Sequence, residues 1–196
     1  MNRINLNQKF WNNRYNNQET GWDIGEISTP IKAYIDQLKD KELKILIPGC
    51  GNAYEAEYLF KNGFKNVDVI DISPLALKQF KNRLADFPES QLICGDFFQH
   101  HKQYDLIIEQ TFFCAIDPKL RSLYAKHSAQ LLVPNGKLIG LLFNDPLNTD
   151  HPPFGGNKSE YLSYFDPYFN IEIMEASYNS IKPRSGRELF IKLIKK

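Results

Sequence analysis

The sequence predicts an α/β fold: a doubly wound, mostly parallel sheet of seven strands ending in an antiparallel hairpin, with helices before the first strand. Three observations carry this expectation. From Lys44 onward, short runs rich in β-branched residues alternate with longer amphipathic stretches, the pattern of repeated strand–helix units. Two segments near the end instead alternate apolar and polar residues on either side of a turn marked by Pro183 and Gly186. The 196 residues are 42% apolar and 24% charged, the composition of one globular domain whose core is large enough to dispense with disulfides and structural metals.

The elements follow in order. Residues 8–17 place Phe10, Trp11 and Tyr15 on a helical spacing, and Thr29-Pro30 offers a cap followed by proline at the first helical position. These two helices assign residues 1–42 to an N-terminal appendage and 43–196 to the sheet-bearing core of a single domain. The first four strands are expected at 44–48, 67–71, 91–94 and 104–109, with helices at 53–62 and 74–85. Asp117-Pro118 starts a helix to about Leu132, and Pro134-Asn135-Gly136 turns the chain into a fifth strand, 137–143. A loop over 144–157, a short helix at 159–164 and strands at 171–178 and 188–194 complete the chain.

Charge and cysteine usage narrow the function. Lys and Arg number 24 against 23 Asp and Glu, a balance without the basic excess of a dedicated nucleic-acid binder. The longest apolar run, 138–143, is far short of the ~20 residues of a membrane span, and Met1-Asn2-Arg3-Ile4-Asn5 opens no signal peptide. Cys50, Cys94 and Cys114 match no zinc or disulfide spacing and read as reduced thiols. A cytoplasmic monomer acting on small molecules, without a metal, is the expectation.

In a doubly wound sheet, ligands bind at the carboxyl ends of the parallel strands. The first such end is Ile45-Leu46-Ile47-Pro48-Gly49-Cys50-Gly51, where two glycines permit positive φ and close approach of a ligand, or simply a tight strand–helix turn. Tyr54 replaces the third glycine of the dinucleotide fingerprint, which argues against a pyrophosphate. Asp71 ends the second strand 20 residues after Gly51, where a carboxylate accepts hydrogen bonds from ribose hydroxyls or caps the following turn. Gly95-Asp96-Phe97-Phe98 follows the third strand and offers an acidic group for an exocyclic amine beside an apolar ring surface.

This doubly wound, Rossmann-like sheet with a terminal hairpin is the usual shape of the class I methyltransferases. Trp11, Tyr15, Thr20-Gly21-Trp22-Asp23-Ile24-Gly25, Ile47-Pro48-Gly49-Cys50-Gly51, Val69-Ile70-Asp71-Ile72-Ser73, Gly95-Asp96-Phe97-Phe98, Phe113-Cys114-Ala115-Ile116-Asp117-Pro118 and Pro152-Pro153-Phe154 together resemble the thiopurine S-methyltransferase superfamily, nearest its plant-type halide and thiol methyltransferases. The resemblance implies S-adenosylmethionine as cofactor and S-adenosylhomocysteine as product. It implies that Trp11, Tyr15 and Trp22 form a lid over the methionine end, that Gly49 and Gly51 approach it, and that Asp71 with Ile72 holds ribose and adenine. Asp96 and Phe97 would flank the adenine, and Glu109 and Gln110 would line the crevice after the fourth strand. An aromatic cage suits a sulfonium, because ring faces attract a cation and exclude water.

Two departures bear on the methyl acceptor. Relatives carry Arg or Tyr where this chain has Gln110, and many place Gly before the Pro-Pro pair where this chain has Asp150-His151. Displacement at a sulfonium methyl needs alignment more than a base, since a thiol is already partly thiolate at neutral pH and a halide needs no deprotonation. Tyr15 and Gln110 are therefore candidates for positioning the acceptor. Lys182, Arg184 and Arg187 are candidate anion contacts, with solvated turn residues as the other reading. Phe113 and Phe154, with Phe112, would be apolar walls or core, and His151 would be the one histidine placed as an auxiliary base. The three cysteines all fall near strand ends and are expected to converge on the cofactor. Other readings are weaker in their spacing: Tyr178-Asn179-Ser180-Ile181-Lys182 fits the YxxxK of short-chain dehydrogenases but runs into Pro183. The Pro152-Pro153-Phe154 clamp of base-methylating enzymes belongs after the fourth strand, where Glu109-Gln110 stands instead. A cofactor-binding sensor without catalysis, or a thiopurine-like acceptor, remains open at the level of sequence.

Overall fold

The computed structural model describes residues 4–196; Met1, Asn2 and Arg3, part of the segment read as opening no signal peptide, lie outside the described residues. Seven strands form one sheet in the order β3-β2-β1-β4-β5-β7-β6. They are β1 (Ile45–Pro48), β2 (Val67–Asp71), β3 (Leu92–Cys94), β4 (Tyr104–Gln110), β5 (Leu132–Phe143), β6 (Phe169–Ala176) and β7 (Glu188–Lys195). β1 to β5 pair in parallel, whereas β7 is antiparallel to both β5 and β6. β6 therefore points the same way as the parallel strands, and the loop after it arrives at their carboxyl ends.

Helices α1 (Gln8–Asn16), α2 (Thr29–Ile35), α3 (Tyr54–Lys61), α4 (Pro74–Arg83), α5 (Arg121–Leu131) and α6 (Lys158–Phe165) flank the sheet. The period-2 alternation of each strand divides the core between its two faces. Ile45, Ile47, Leu106, Ile108, Ile139 and Leu141 pack on one side with α2 residues Ile31 and Ile35, α3 residue Leu59 and α4 residue Phe80. Leu46, Ile107, Leu138 and Leu142 pack on the other with Tyr124 of α5 and Phe165 of α6.

Differences from the expected elements are local and have physical causes. Ser28, not Thr29, is the N-cap residue of α2, with Pro30 in its first turn. Ala53 sits in the left-handed region at φ 51° and α3 starts one residue later. Asp117 caps a 3-10 turn, Pro118–Leu120, its carboxylate accepting from Lys119 N–H at 2.9 Å, before α5 begins. The turn at Pro134-Asn135-Gly136 is enclosed within β5. Pairing jumps from Tyr104↔Leu132 to Leu106↔Lys137, so residues 133–136 bulge from the ladder with Asn135 at φ 62°. β6 starts and ends two residues before the expected bounds, leaving Tyr178 in the hairpin loop, fully in solvent. No helix of the described residues is long and apolar enough to cross a membrane.

Candidate active site

A cavity of about 880 Å³ opens at the carboxyl ends of β1, β2 and β4, beside the switch between β1 and β4 where the strand order reverses. Its floor is the turn after β1. Gly49 and Gly51 have φ 55° and 52°, a conformation that side chains rarely adopt. Space is the second constraint: a Cβ on Gly49 would lie 2.6 Å from Phe112 Cγ, and one on Gly51 would lie 3.1 Å from the Tyr15 hydroxyl. The two glycines thus let Phe112 and Tyr15 close on the turn from either side.

Asp71 fastens this turn to the end of β2. Its Oδ2 accepts from Gly51 N–H at 2.9 Å and its Oδ1 from Ser73 N–H at 2.8 Å. Burial pushes its carboxyl up and the backbone donors oppose the shift. A carboxylate has about four acceptor positions, and the backbone donors Gly51, Ser73 and Ile72 take at most three of them, so one remains for a hydroxyl of a ligand. The turn-capping and ligand-binding readings of Asp71 are therefore compatible.

The N-terminal segment crosses the cavity. Trp11, Tyr15 and Trp22 line it as an edge-to-face set, with ring centroids 5.6 Å apart for Trp11–Trp22 and 5.8 Å for Tyr15–Trp22. The Trp22 indole N–H donates to the Tyr15 hydroxyl. Burial pushes the Tyr15 phenol far up, with Asp71 adding to the shift, so it stays protonated at neutral pH. The following loop is pinned to the core. Asp23 accepts from Asn52 and Tyr54, and Thr29 Oγ1 donates to Asn179 O. Arg184 Nη2 donates to Trp22 O at 2.7 Å.

Ile72, Asp96 and Phe97 also line the cavity. Asp96 Oδ1 accepts from Phe98 N–H at 2.9 Å. Gln110, Arg184 and Arg187 stand on the opposite wall with Phe112, Phe143, Leu147, Pro152 and Pro153. Arg184 is 8% exposed; its Nη1 lies 3.5 Å from Glu188 Oε1. Arg187 pairs with Asp145.

Several expected positions are corrected. Glu109 does not line the crevice. It is fully buried, and its Oε1 accepts from Phe112 N–H at 2.8 Å and Phe113 N–H at 2.9 Å, while Tyr124 donates to Oε2 at 2.6 Å. It ties down the turn after β4, where Thr111 is held at φ 61°, and burial pushes its carboxyl up to about 7. Phe113 and Phe154 are buried behind the wall, because strand-end geometry turns Phe112 into the cavity and its neighbour into the core with Tyr124, Tyr161 and Phe165. Lys182 and His151 are not among the lining residues. Cys50 and Cys114 are, but Cys94 is exposed and is not among them. Burial drives the Cys50 thiol well up and pushes Cys114 up to about 12.

Glu55 is the residue that sequence reasoning missed. It lines the cavity from the first turn of α3, buried, with burial pushing its carboxyl up and the Ser28 N–H bonded to it. An acidic residue there reads in sequence as ordinary complementarity to a helix N-terminus, so nothing flagged it. Among the described residues no cluster of His, Cys, Asp or Glu is arranged to hold a metal ion.

The family model described as Thiopurine S-methyltransferase (TPMT) matches residues 6–190. The chain is 30% identical over 186 residues to "Probable thiol methyltransferase 2" of Arabidopsis thaliana, covering 91% of this chain and 81% of that protein. It is 30% identical over 188 residues to "Thiocyanate methyltransferase 1" of Brassica oleracea, with the same coverage of 91% and 81%. Among solved structures, magnesium protoporphyrin IX methyltransferase from Synechocystis PCC 6803, with bound SAM, superposes with a TM-score of 0.73 at 13% identity, over 98% of each chain, a likeness of fold.

Proposed function

Because the chain belongs to the thiopurine S-methyltransferase family and so depends on S-adenosylmethionine, we propose that it transfers the methyl group to a small soft anionic nucleophile, a thiolate, hydrosulfide or halide, by in-line displacement. The observation that carries the reading is the buried Arg184 guanidinium on the cavity wall, held there by Nη2 donating to Trp22 O at 2.7 Å and by Nη1 lying 3.5 Å from Glu188 Oε1. A buried guanidinium is screened less by water than a solvated one, and the part of its field that Glu188 does not offset favours an anion in the cavity.

The residues fit the cofactor: a glycine turn that a Cβ would obstruct, a carboxylate with a free acceptor position and a set of aromatic edges and faces. When bound, S-adenosylmethionine supplies a sulfonium methyl whose carbon–sulfur bond breaks as the acceptor's bond to carbon forms. Asp71 and Ile72 would hold the ribose and adenine, with Asp96 and Phe97 at the ring, and Gly49 and Gly51 would let the turn approach. Trp11, Tyr15 and Trp22 would close over the methionine end and keep water out. Gln110 and Arg184, with Arg187 beyond them, would orient the acceptor. Tyr15 is a donor rather than a base, because its phenol keeps its proton. Cys50 and Cys114 keep theirs too, and so do not compete as nucleophiles.

The apolar wall of Phe112, Leu147, Pro152 and Pro153 favours a second reading, a thiopurine-like heterocycle. A reducing, cytoplasmic setting accords with the three free thiols. The test counts S-adenosylhomocysteine formed over hydrosulfide, thiocyanate, iodide, a thiophenol and a thiopurine. We expect turnover with the small anions; turnover with the thiopurine alone supports the second reading, and no product from any acceptor refutes both.

A further inference from the structure

Ser28 departs from what its position asks of it. It is the N-cap residue of α2, where a serine hydroxyl ordinarily accepts from a backbone N–H of the first turn, yet its side chain makes no such bond. The hydroxyl instead donates to Gln110 Oε1 at 3.1 Å, across 82 residues of sequence. The rest of Ser28 is equally fixed. Its N–H is bonded to the buried Glu55 carboxylate, its carbonyl accepts from Lys32 N–H at 2.9 Å, and the residue is 3% exposed.

In the observed arrangement the bond takes up the oxygen end of the Gln110 amide. Gln110 lines the cavity and Ser28 does not, so the oxygen engaged by Ser28 is turned away from the space where an acceptor would sit. The Gln110 Nε2 has no hydrogen-bond partner among the described residues. A free amide presents either a carbonyl oxygen, which repels an anion, or two N–H donors, which attract one. We propose that Ser28 is a positioning residue that locks the Gln110 amide with its N–H₂ group toward the acceptor, so that this wall offers donors only and selects anionic nucleophiles. The inference rests on the methyl-transfer reading and adds the device by which a chain with glutamine at this position favours an anion.

Thiocyanate titrated by calorimetry into the S-adenosylhomocysteine complex, together with initial rates, tests it. Ser28→Ala should weaken thiocyanate binding and raise the acceptor KM roughly five- to tenfold, with kcat changed less than about twofold and the S-adenosylhomocysteine Kd unchanged. Ser28→Thr, which keeps the hydroxyl, should restore wild-type values. In a Gln110→Met background Ser28→Ala should add nothing, because the bond it removes is already gone. Gln110→Glu, which can accept from Ser28 but has no N–H to offer, should lose thiocyanate binding and keeps the test decisive if Ser28→Ala fails to fold. An effect of Ser28→Ala within twofold of wild type, or equal in the Gln110→Met background, or thiocyanate binding retained by Gln110→Glu, overturns the inference alone. A wild-type protein that neither binds thiocyanate nor turns over any acceptor overturns the functional reading, and this inference with it.

Discussion

At the scale of single residues, the site is built from side chains that bond the protein and keep some hydrogen-bonding capacity for a ligand. Asp71 spends one lone pair of each oxygen on Gly51 and Ser73 N–H groups. Asp71→Asn replaces one of these acceptors by an amide donor facing an N–H. Hydrogen bonds to charged groups contribute about 1.5–3 kcal/mol, so calorimetry should find S-adenosylmethionine affinity reduced roughly 10- to 100-fold. An unchanged affinity would mean that Asp71 only caps the turn. The residues legible in sequence were those at strand ends with a chemical reason to be there: Gly49, Gly51, Asp71, Ile72, Asp96 and Phe97 all line the cavity. Glu109 misled because alternation along a buried strand does not say whether the last carboxylate meets a ligand or the next backbone turn. Two N–H groups and the Tyr124 hydroxyl decided it.

At the scale of elements, the turn after β4 depends on that carboxylate. Thr111, a β-branched residue at φ 61°, is in a conformation that costs of order 1–3 kcal/mol, and the two N–H groups that follow it are held by Glu109. The groups that face Glu109 are Tyr124 and Cys114. Burial holds the folded carboxyl at about 7, above the ordinary value of an unfolded glutamate, about 4.3. Below that ordinary value both states are protonated and the contribution to stability is fully present. As pH rises toward 7, the unfolded chain gives up its proton first, so stability declines by up to about 1.4 kcal/mol per pH unit and levels off above. Glu109→Gln keeps an acceptor for Phe112 and Phe113, and Tyr124 can accept where it donated. Urea denaturation from pH 4 to 8 should show the decline in the wild type and a flatter profile in Glu109→Gln; parallel profiles would contradict the assignment.

At the scale of the whole molecule, the N-terminal segment and the β6–β7 loop, far apart in sequence, close the same cavity through Arg184 and Trp22 O and through Thr29 and Asn179 O. A ligand enclosed by both should stabilise the fold as a unit. S-adenosylhomocysteine at one hundred times its Kd should add about 2.7 kcal/mol, which for a chain of this size raises Tm by roughly 5–10 °C. Asp71→Asn at the same ligand concentration should show a smaller rise, and a wild-type Tm indifferent to the ligand would refute enclosure. The sequence by itself determined the seven strands, their mostly parallel order with a terminal hairpin, and the strand ends that line the cavity. These follow from local periodicity and turn chemistry, which a chain carries within a few residues. Only the tertiary structure decided that Phe112 rather than Phe113 forms the wall, that Glu55 and Cys114 line the cavity while Cys94 does not, and that Ser28 bonds Gln110 instead of its own helix. Each of these is a choice between partners distant in the chain, and it is settled by which polar atoms burial leaves to be satisfied once the elements have packed.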